Sequence, residues 1–144
     1  MSALRVLDMS STLAQDLIEN VHEECARRGL RLAAAVVDRG GNLVAAARMD
    51  GAQLAALPLA TDKAFTAVSF GFATSAWVQS SAPGGSDWGL GSTLGGRVVV
   101  FPGGLPLYLD GELIGALGVS GTASSVDEEC AAHAVRSCGL SVTP

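Results

Sequence analysis

The chain has 144 residues, a common length for a single folded domain, and apolar residues make up 49% of it. We therefore predict one domain spanning residues 1–144. The formal net charge is −5 and the basic residues are scattered, so no basic surface is available for a nucleic-acid backbone. The N-terminal residues lack the pattern of a signal peptide, and no apolar run approaches the roughly 20 residues that span a bilayer. We expect a cytoplasmic protein that binds neither nucleic acid nor membrane.

The first predicted element is a helix that runs to Arg28, with Ser10 or Ser11 as its cap and Gly29 at its end. Apolar side chains recur every four residues on one face of it, at Leu13, Leu17, Val21 and Cys25.

Two apolar runs follow this helix, Leu30–Val37 and Leu43–Ala47. The segment between them contains Gly40 and Gly41, which can take the positive φ angles of a tight turn, so the pattern predicts a β-hairpin. Nearly all residues of both strands are apolar, and we expect both faces of the sheet to be covered.

A second helix is predicted from Leu59 to about Phe72, opened by Pro58. The stretch from Trp77 to Gly96 then consists almost entirely of turn-forming residues. Loops of this length inside a small domain tend to be functional or mobile. We therefore expect Trp77 and Trp88 to become ordered when a ligand binds.

Three short apolar runs after this loop predict an antiparallel meander, with strands over 97–101, 105–109 and 112–119. Ser124 or Ser125 then starts a last helix, with Glu128 placed to complete a capping box from Ser125, and Gly139 ends it. The order of elements predicts an α+β domain with a largely antiparallel five-stranded sheet flanked by helices.

Polar side chains stand where the apolar strands and helices give way to loops, which is where a scaffold exposes groups beside a pocket. The candidates for acid–base catalysis are Lys63, Asp38 and Asp127. The candidates for ligand contact are Arg48, Trp77, Trp88, Gly103, Gly104 and Ser120. In the structural alternative, the aspartates serve turns and a helix start, the glycines permit tight turns, and the lysine is a paired or solvated charge.

Lys63 is the most informative of these residues because its neighbours are small and apolar, as in a buried helix face. A buried ammonium group needs a partner, and we expect Asp38, Asp127 or an anionic ligand to provide it. The same lysine can orient an anionic ligand, form a structural ion pair, or act as a base.

No standard cofactor or metal motif is present. The dinucleotide-binding, P-loop and hydrolase fingerprints are missing. The histidines, His22 and His133, stand on separate predicted helices without a zinc-binding pattern, so we predict no metal site. The cysteines form an odd set without a CxxC motif, which favours buried, reduced thiols: Cys25, Cys130 and Cys138.

Four segments, in this order, resemble the GlcG/HbpS family, which includes the C-terminal domain of corrinoid adenosyltransferases. They are the hairpin at 35–44, its exit at 48–52, the helix piece at 62–67, and the block from 103–106 through 114–121. The resemblance covers about residues 10–138. It implies a profilin-like sheet flanked by helices and assembly into homo-oligomers, from dimers to octamers.

The resemblance also implies a small-molecule ligand. Some family members bind haem and are described as haem-degrading or redox-sensing, so haem or another tetrapyrrole is a candidate cofactor, with Arg48 or Lys63 meeting a propionate. His22 is then either a partly exposed helical histidine or an axial haem ligand. The alternative function is a cofactor-independent isomerase, lyase or hydrolase that uses Lys63 and an aspartate as an acid–base pair.

Overall fold

Helices and strand pairs alternate along residues 2–144, which are the residues that the computed structural model describes. The α-helices are α1 (Ser11–Arg27), α2 (Ala56–Phe70) and α3 (Ser124–Ser137). The strands are β1 (Ala33–Asp38), β2 (Leu43–Arg48), β3 (Gly104–Leu109) and β4 (Glu112–Ser120). Short 3₁₀-helical turns lie between α2 and β3, at Thr74–Trp77, Leu90–Ser92 and Leu94–Gly96.

The four described strands form one antiparallel sheet in the order β2-β1-β4-β3. The predicted fifth strand, over residues 97–101, is wrong. Val98 and Val99 are buried there, but the backbone N–H of Val99 donates to Oγ1 of Thr66 on α2 at 3.0 Å. The segment therefore packs along a helix and does not join the hydrogen-bond ladder of the sheet.

Helices cover both faces of the sheet, as predicted. On one face, α1 and α3 pack on a core of larger apolar side chains that includes Leu17, Val36 and Leu117. On the other face α2 lies close to the strands, and a β-carbon at Gly118 would collide with the carbonyl oxygen of Ala60. Glycine at position 118 is what allows this helix to lie directly on β4.

The structure confirms one of the two predicted helix caps. Oγ of Ser10 accepts the N–H of Leu13 at 3.1 Å, which confirms the predicted cap of α1. At α3 the capping-box prediction is wrong, because no side chain caps the helix and Glu128 instead accepts a 2.7 Å hydrogen bond from Oγ of Ser75. None of the helices within residues 2–144 is long and apolar enough to cross a membrane.

Candidate functional site

Lys63 forms an ion pair with Asp127 in the interior of the domain. It is the only lysine of the chain, its exposed fraction is 1%, and its Nζ lies 3.1 Å from Oδ2 of Asp127. Nζ also donates to the carbonyl oxygen of Val119 on β4 at 2.9 Å. The partner of Lys63 is thus Asp127, one of the candidates expected from the sequence, and the pair joins α2 to α3.

Backbone groups form hydrogen bonds with the remaining polar atoms of this pair. Oδ1 of Asp127 accepts the backbone N–H of Thr122 at 3.0 Å. Burial lowers the pKa of Lys63, against the attraction of Asp127, and burial likewise raises the pKa of Asp127, against the attraction of Lys63. The ring centroid of Phe101 lies 5.3 Å from Nζ, so the segment before β3 covers the ammonium group.

The glycines at the start of β3 make room for Lys63. A β-carbon on Gly103 would lie 2.5 Å from Nζ, and one on Gly104 would collide with the carbonyl oxygen of Lys63. The backbone N–H of Gly104 donates to Oγ1 of Thr74 at 3.0 Å. Ser120, another candidate, lies buried at the end of β4. Of these residues, Gly103 and Gly104 lie directly against Lys63.

Asp38 lies in the β1–β2 hairpin, away from this pair. Its Oδ1 accepts the backbone N–H groups of Gly40 and Asn42, both at 2.9 Å, and so organises the turn. Within residues 2–144, no hydrogen bond or ion pair joins Asp38 to Lys63 or Asp127. The three candidates for acid–base catalysis therefore lie at two places.

The two tryptophans have different environments. The ring of Trp77 makes edge contacts with Phe70 and Phe72, at centroid distances of 5.0 and 6.2 Å. Its Nε1 is buried and has no hydrogen-bond partner among the described residues. Trp88 is 67% exposed.

Arg48 lines an open cleft of about 650 Å³ between the C-terminal half of α1 and the segments that flank the β1–β2 hairpin. This volume lies within the range of about 300–1,000 Å³ that is usual for ligand pockets. The cleft also contains polar side chains from His22, Arg31 and Asp50, and apolar ones from Leu30, Ala47 and Met49.

The charged groups of the cleft have few partners. Within residues 2–144, neither Arg31 nor Arg48 forms an ion pair. Nε2 of His22 lies 3.3 Å from the carbonyl oxygen of Ala47, the only hydrogen bond assigned to this imidazole among the described residues. Sequence reasoning missed Arg31, although it is the only charged residue in the apolar run that leads into β1.

No group of three or more His, Cys, Asp or Glu side chains in the described part of the chain is arranged to hold a metal ion.

Comparison with known proteins identifies the family of this chain. A family model described as "Haem degrading protein HbpS-like" matches residues 9–136, and the chain therefore belongs to the HbpS-like family. Among its relatives is a 15.0 kDa protein from the dhaT-dhaS intergenic region of Citrobacter freundii. The two are 33% identical over 117 residues, which cover 81% of this chain and 82% of that protein.

Two further similarities are to PduO, one to its sequence and one to a crystal structure. The corrinoid adenosyltransferase PduO of Salmonella typhimurium is 41% identical over 100 residues, which cover 69% of this chain but only 30% of that enzyme. A crystal structure of a complex of PduOC with haem superimposes with a TM-score of 0.92 at 32% identity, covering 96% of this chain and 100% of that one.

Proposed function

We propose that this protein binds haem, or a similar flat tetrapyrrole, in the cleft beside His22. The observation that carries the proposal is the composition of the cleft, where one imidazole and two guanidinium groups without ion pairs, together with the carboxylate of Asp50, meet an apolar lining. A solved relative in complex with haem, with the same fold, supports the choice of ligand.

The residues present fit the chemistry of haem. An imidazole nitrogen is a common axial ligand of haem iron, and His22 is the histidine that lines the cleft. Arginine forks suit carboxylates, so Arg31 and Arg48 would hold the propionates. Leu30 and Met49 would contact the macrocycle. Bound haem would supply a redox-active iron, whose potential depends on its axial ligand and burial.

Comparing the two histidines of the chain tests this proposal. Haem is titrated into the purified protein and the Soret band is followed. We expect saturable binding by the wild type, and at least tenfold weaker binding with an altered Soret maximum for His22→Ala. The matched control is His133→Ala, because His133 lies on α3 and pairs with Glu24 at 3.6 Å. Circular dichroism verifies that both variants fold. If His22→Ala and the wild type give the same titration and spectrum, the proposed axial ligand is wrong.

An acid–base enzyme built on Lys63 and Asp127 has less support. Their polar atoms are occupied by each other and by backbone groups, and neither residue lines the cleft. A proton-transfer pair must reach the atom that gains or loses the proton. We therefore propose a structural role for this pair.

A further inference from the structure

We propose that the α-carbon of Gly51 positions the guanidinium group of Arg31, and that Arg31 held in this way makes the cleft select tetrapyrroles with free propionates. The inference rests on the proposed function, because it concerns what the same cleft recognises in its ligand. It assigns a positioning role to Gly51, a residue that does not itself line the cleft.

The side chain of Arg31 lies against Gly51. Arg31 precedes β1 and Gly51 follows β2, and these two ends are neighbours because Ala33 pairs with Arg48 in the sheet. A β-carbon on Gly51 would lie 2.6 Å from Nη1, 3.2 Å from Cδ and 3.4 Å from Cζ of Arg31. These are the three nearest atoms that it would meet outside the adjoining residues. The stem and the head of the arginine therefore both pass over the place that a side chain at position 51 would fill.

This contact requires more of position 51 than the local turn does. The N–H of Ala52 donates to the carbonyl oxygen of Met49 at 3.1 Å, and within this turn Gly51 has a φ of +77°. The turn alone could accept asparagine, which tolerates a positive φ. The contact with Arg31 could not, because every amino acid except glycine has a β-carbon.

The contact restricts the stem of Arg31 and leaves its charge available. Within residues 2–144, no hydrogen bond or ion pair is assigned to this guanidinium group. An arginine loses rotamer freedom when it binds a carboxylate, and restricting the side chain beforehand reduces that loss. A guanidinium fork binds a charged carboxylate strongly and an uncharged ester weakly. A positioned arginine can therefore distinguish a free propionate from its ester.

The carboxylate of Asp50 makes the exact position of Arg31 important. Asp50 lines the same cleft and precedes Gly51 in the chain, and it forms no ion pair within residues 2–144. A guanidinium group pushed off Gly51 towards Asp50 would pair with that carboxylate and no longer be available to the ligand. Gly51 thus keeps a cationic group free in a cleft that also contains an anionic one.

The test compares the affinities of haem and of haem dimethyl ester, in which both propionates are esterified, in one buffer containing dimethyl sulfoxide. We expect the wild type to bind haem about tenfold more tightly than the ester or better, and Gly51→Ala to lower this ratio at least threefold. Gly111→Ala is the matched control and should keep the ratio, because Gly111 has a φ of +80° and nothing lies within 4 Å of an added β-carbon. Each ratio compares two ligands on one variant, so a general loss of stability cancels.

Double variants show whether Gly51 acts through Arg31. Arg31→Gln should lower the ratio at least as much as Gly51→Ala, and combining the two should lower it no further. In an Arg48→Gln background, Gly51→Ala should keep its full effect, because the three atoms nearest to the added β-carbon all belong to Arg31. If Gly51→Ala does not fold, Gly51→Asn replaces it, because asparagine tolerates a positive φ and adds the same β-carbon.

The outcomes separate this inference from the proposed function. If the wild type binds neither ligand, haem binding is wrong and the selectivity is wrong with it. If the wild type binds haem and the ester equally well, or if both substitutions at Gly51 keep the wild-type ratio, the inference is overturned while haem binding stands. A crystal structure of the ligand-free Gly51→Ala variant gives an independent readout. We expect the guanidinium group of Arg31 to be displaced in it, and an unchanged position would overturn the role of Gly51.

Discussion

The Lys63–Asp127 pair and the cleft beside His22 both contain charged side chains, but the partners of these charges differ. In the pair, the ammonium group and the carboxylate contact each other and backbone groups, and both are almost completely buried. In the cleft, two guanidinium groups face an open volume, and neither forms an ion pair within residues 2–144. Charged residues whose partners come from the protein itself indicate a structural role, whereas two guanidinium groups that line one cleft with an imidazole and lack protein partners are suited to holding an anionic ligand.

The largest effect should come from Lys63→Met, which keeps much of the length of the side chain but removes its charge. The variant leaves the Asp127 carboxylate buried without its partner, so the free energy of unfolding should fall by about 3 kcal/mol or more in urea titrations. Haem affinity should stay the same wherever the variant is folded. If the variant is as stable as the wild type, Lys63 has no structural role. If it is folded but no longer binds haem, Lys63 contributes to the ligand site.

A double variant and a labelling experiment serve as controls for this result. Lys63→Met combined with Asp127→Leu should recover part of the lost stability, because it no longer leaves a buried charge without a partner. Because Lys63 is the only lysine, an amine-reactive reagent should leave its peptide unmodified in the folded protein and modify it in urea.

Gly103→Ala should have the next largest effect, because it tests how tightly the pair is enclosed. The added β-carbon would lie 2.5 Å from both Nζ of Lys63 and the carbonyl oxygen of Val119. Gly111→Ala is the matched control: both glycines have a positive φ, but nothing lies within 4 Å of a β-carbon at Gly111. The free energy of unfolding should fall by about 1–3 kcal/mol more for Gly103→Ala than for Gly111→Ala. Equal losses would mean that the space around the ammonium group is not tightly filled.

Arg48→Gln tests the proposed role of the cleft beside His22. Loss of one guanidinium group should weaken haem binding about tenfold, or about 1.4 kcal/mol, without a measurable loss of stability. Arg136→Gln provides the control, since Arg136 is exposed in the last turn of α3 and does not line the cleft. If the two variants bind haem equally well, Arg48 does not contribute to haem affinity.

The sequence predicted the elements whose signals are local. The four-residue apolar repeat and the Ser10 cap predicted α1, and the paired glycines between two apolar runs predicted the β1–β2 hairpin. The fifth strand failed because an apolar run reports burial and not the identity of the hydrogen-bond acceptor. At Val99 that acceptor is a threonine hydroxyl 33 positions earlier in the chain.

The candidate site could be predicted only as a set of residue types. Lys63 was expected to find a partner, but the choice between Asp38 and Asp127 depends on how α3 packs across the sheet, and Asp127 lies 64 positions away. Arg31 was not predicted as a site residue because a single arginine in an apolar run matches no known binding motif. Its place in the cleft results from the position of α1 relative to the hairpin, which is a property of tertiary packing.

The last effect is expected only at alkaline pH and concerns Cys25, which lies in the core near the carboxylate of Asp127. Burial raises the pKa of its thiol above the ordinary value of 9.0, and the neighbouring Cys130 and the carboxylate of Asp127 add to the rise. Above about pH 9 the unfolded chain then releases this proton while the folded chain keeps it. The folded state binds more protons, so the free energy of unfolding must fall as the pH rises, by at most about 1.4 kcal/mol per pH unit for one thiol. Urea titrations between pH 8 and 11 under a reducing agent measure this slope. Cys25→Ala should shift the free energy of unfolding by a constant amount below pH 9 and make its fall above pH 9 less steep, because the variant lacks the thiol proton that the folded wild type keeps and the unfolded chain releases. Parallel curves would mean that the thiol ionises in the folded protein as readily as in the unfolded chain, and that water reaches the side of the core on which the Lys63–Asp127 pair lies.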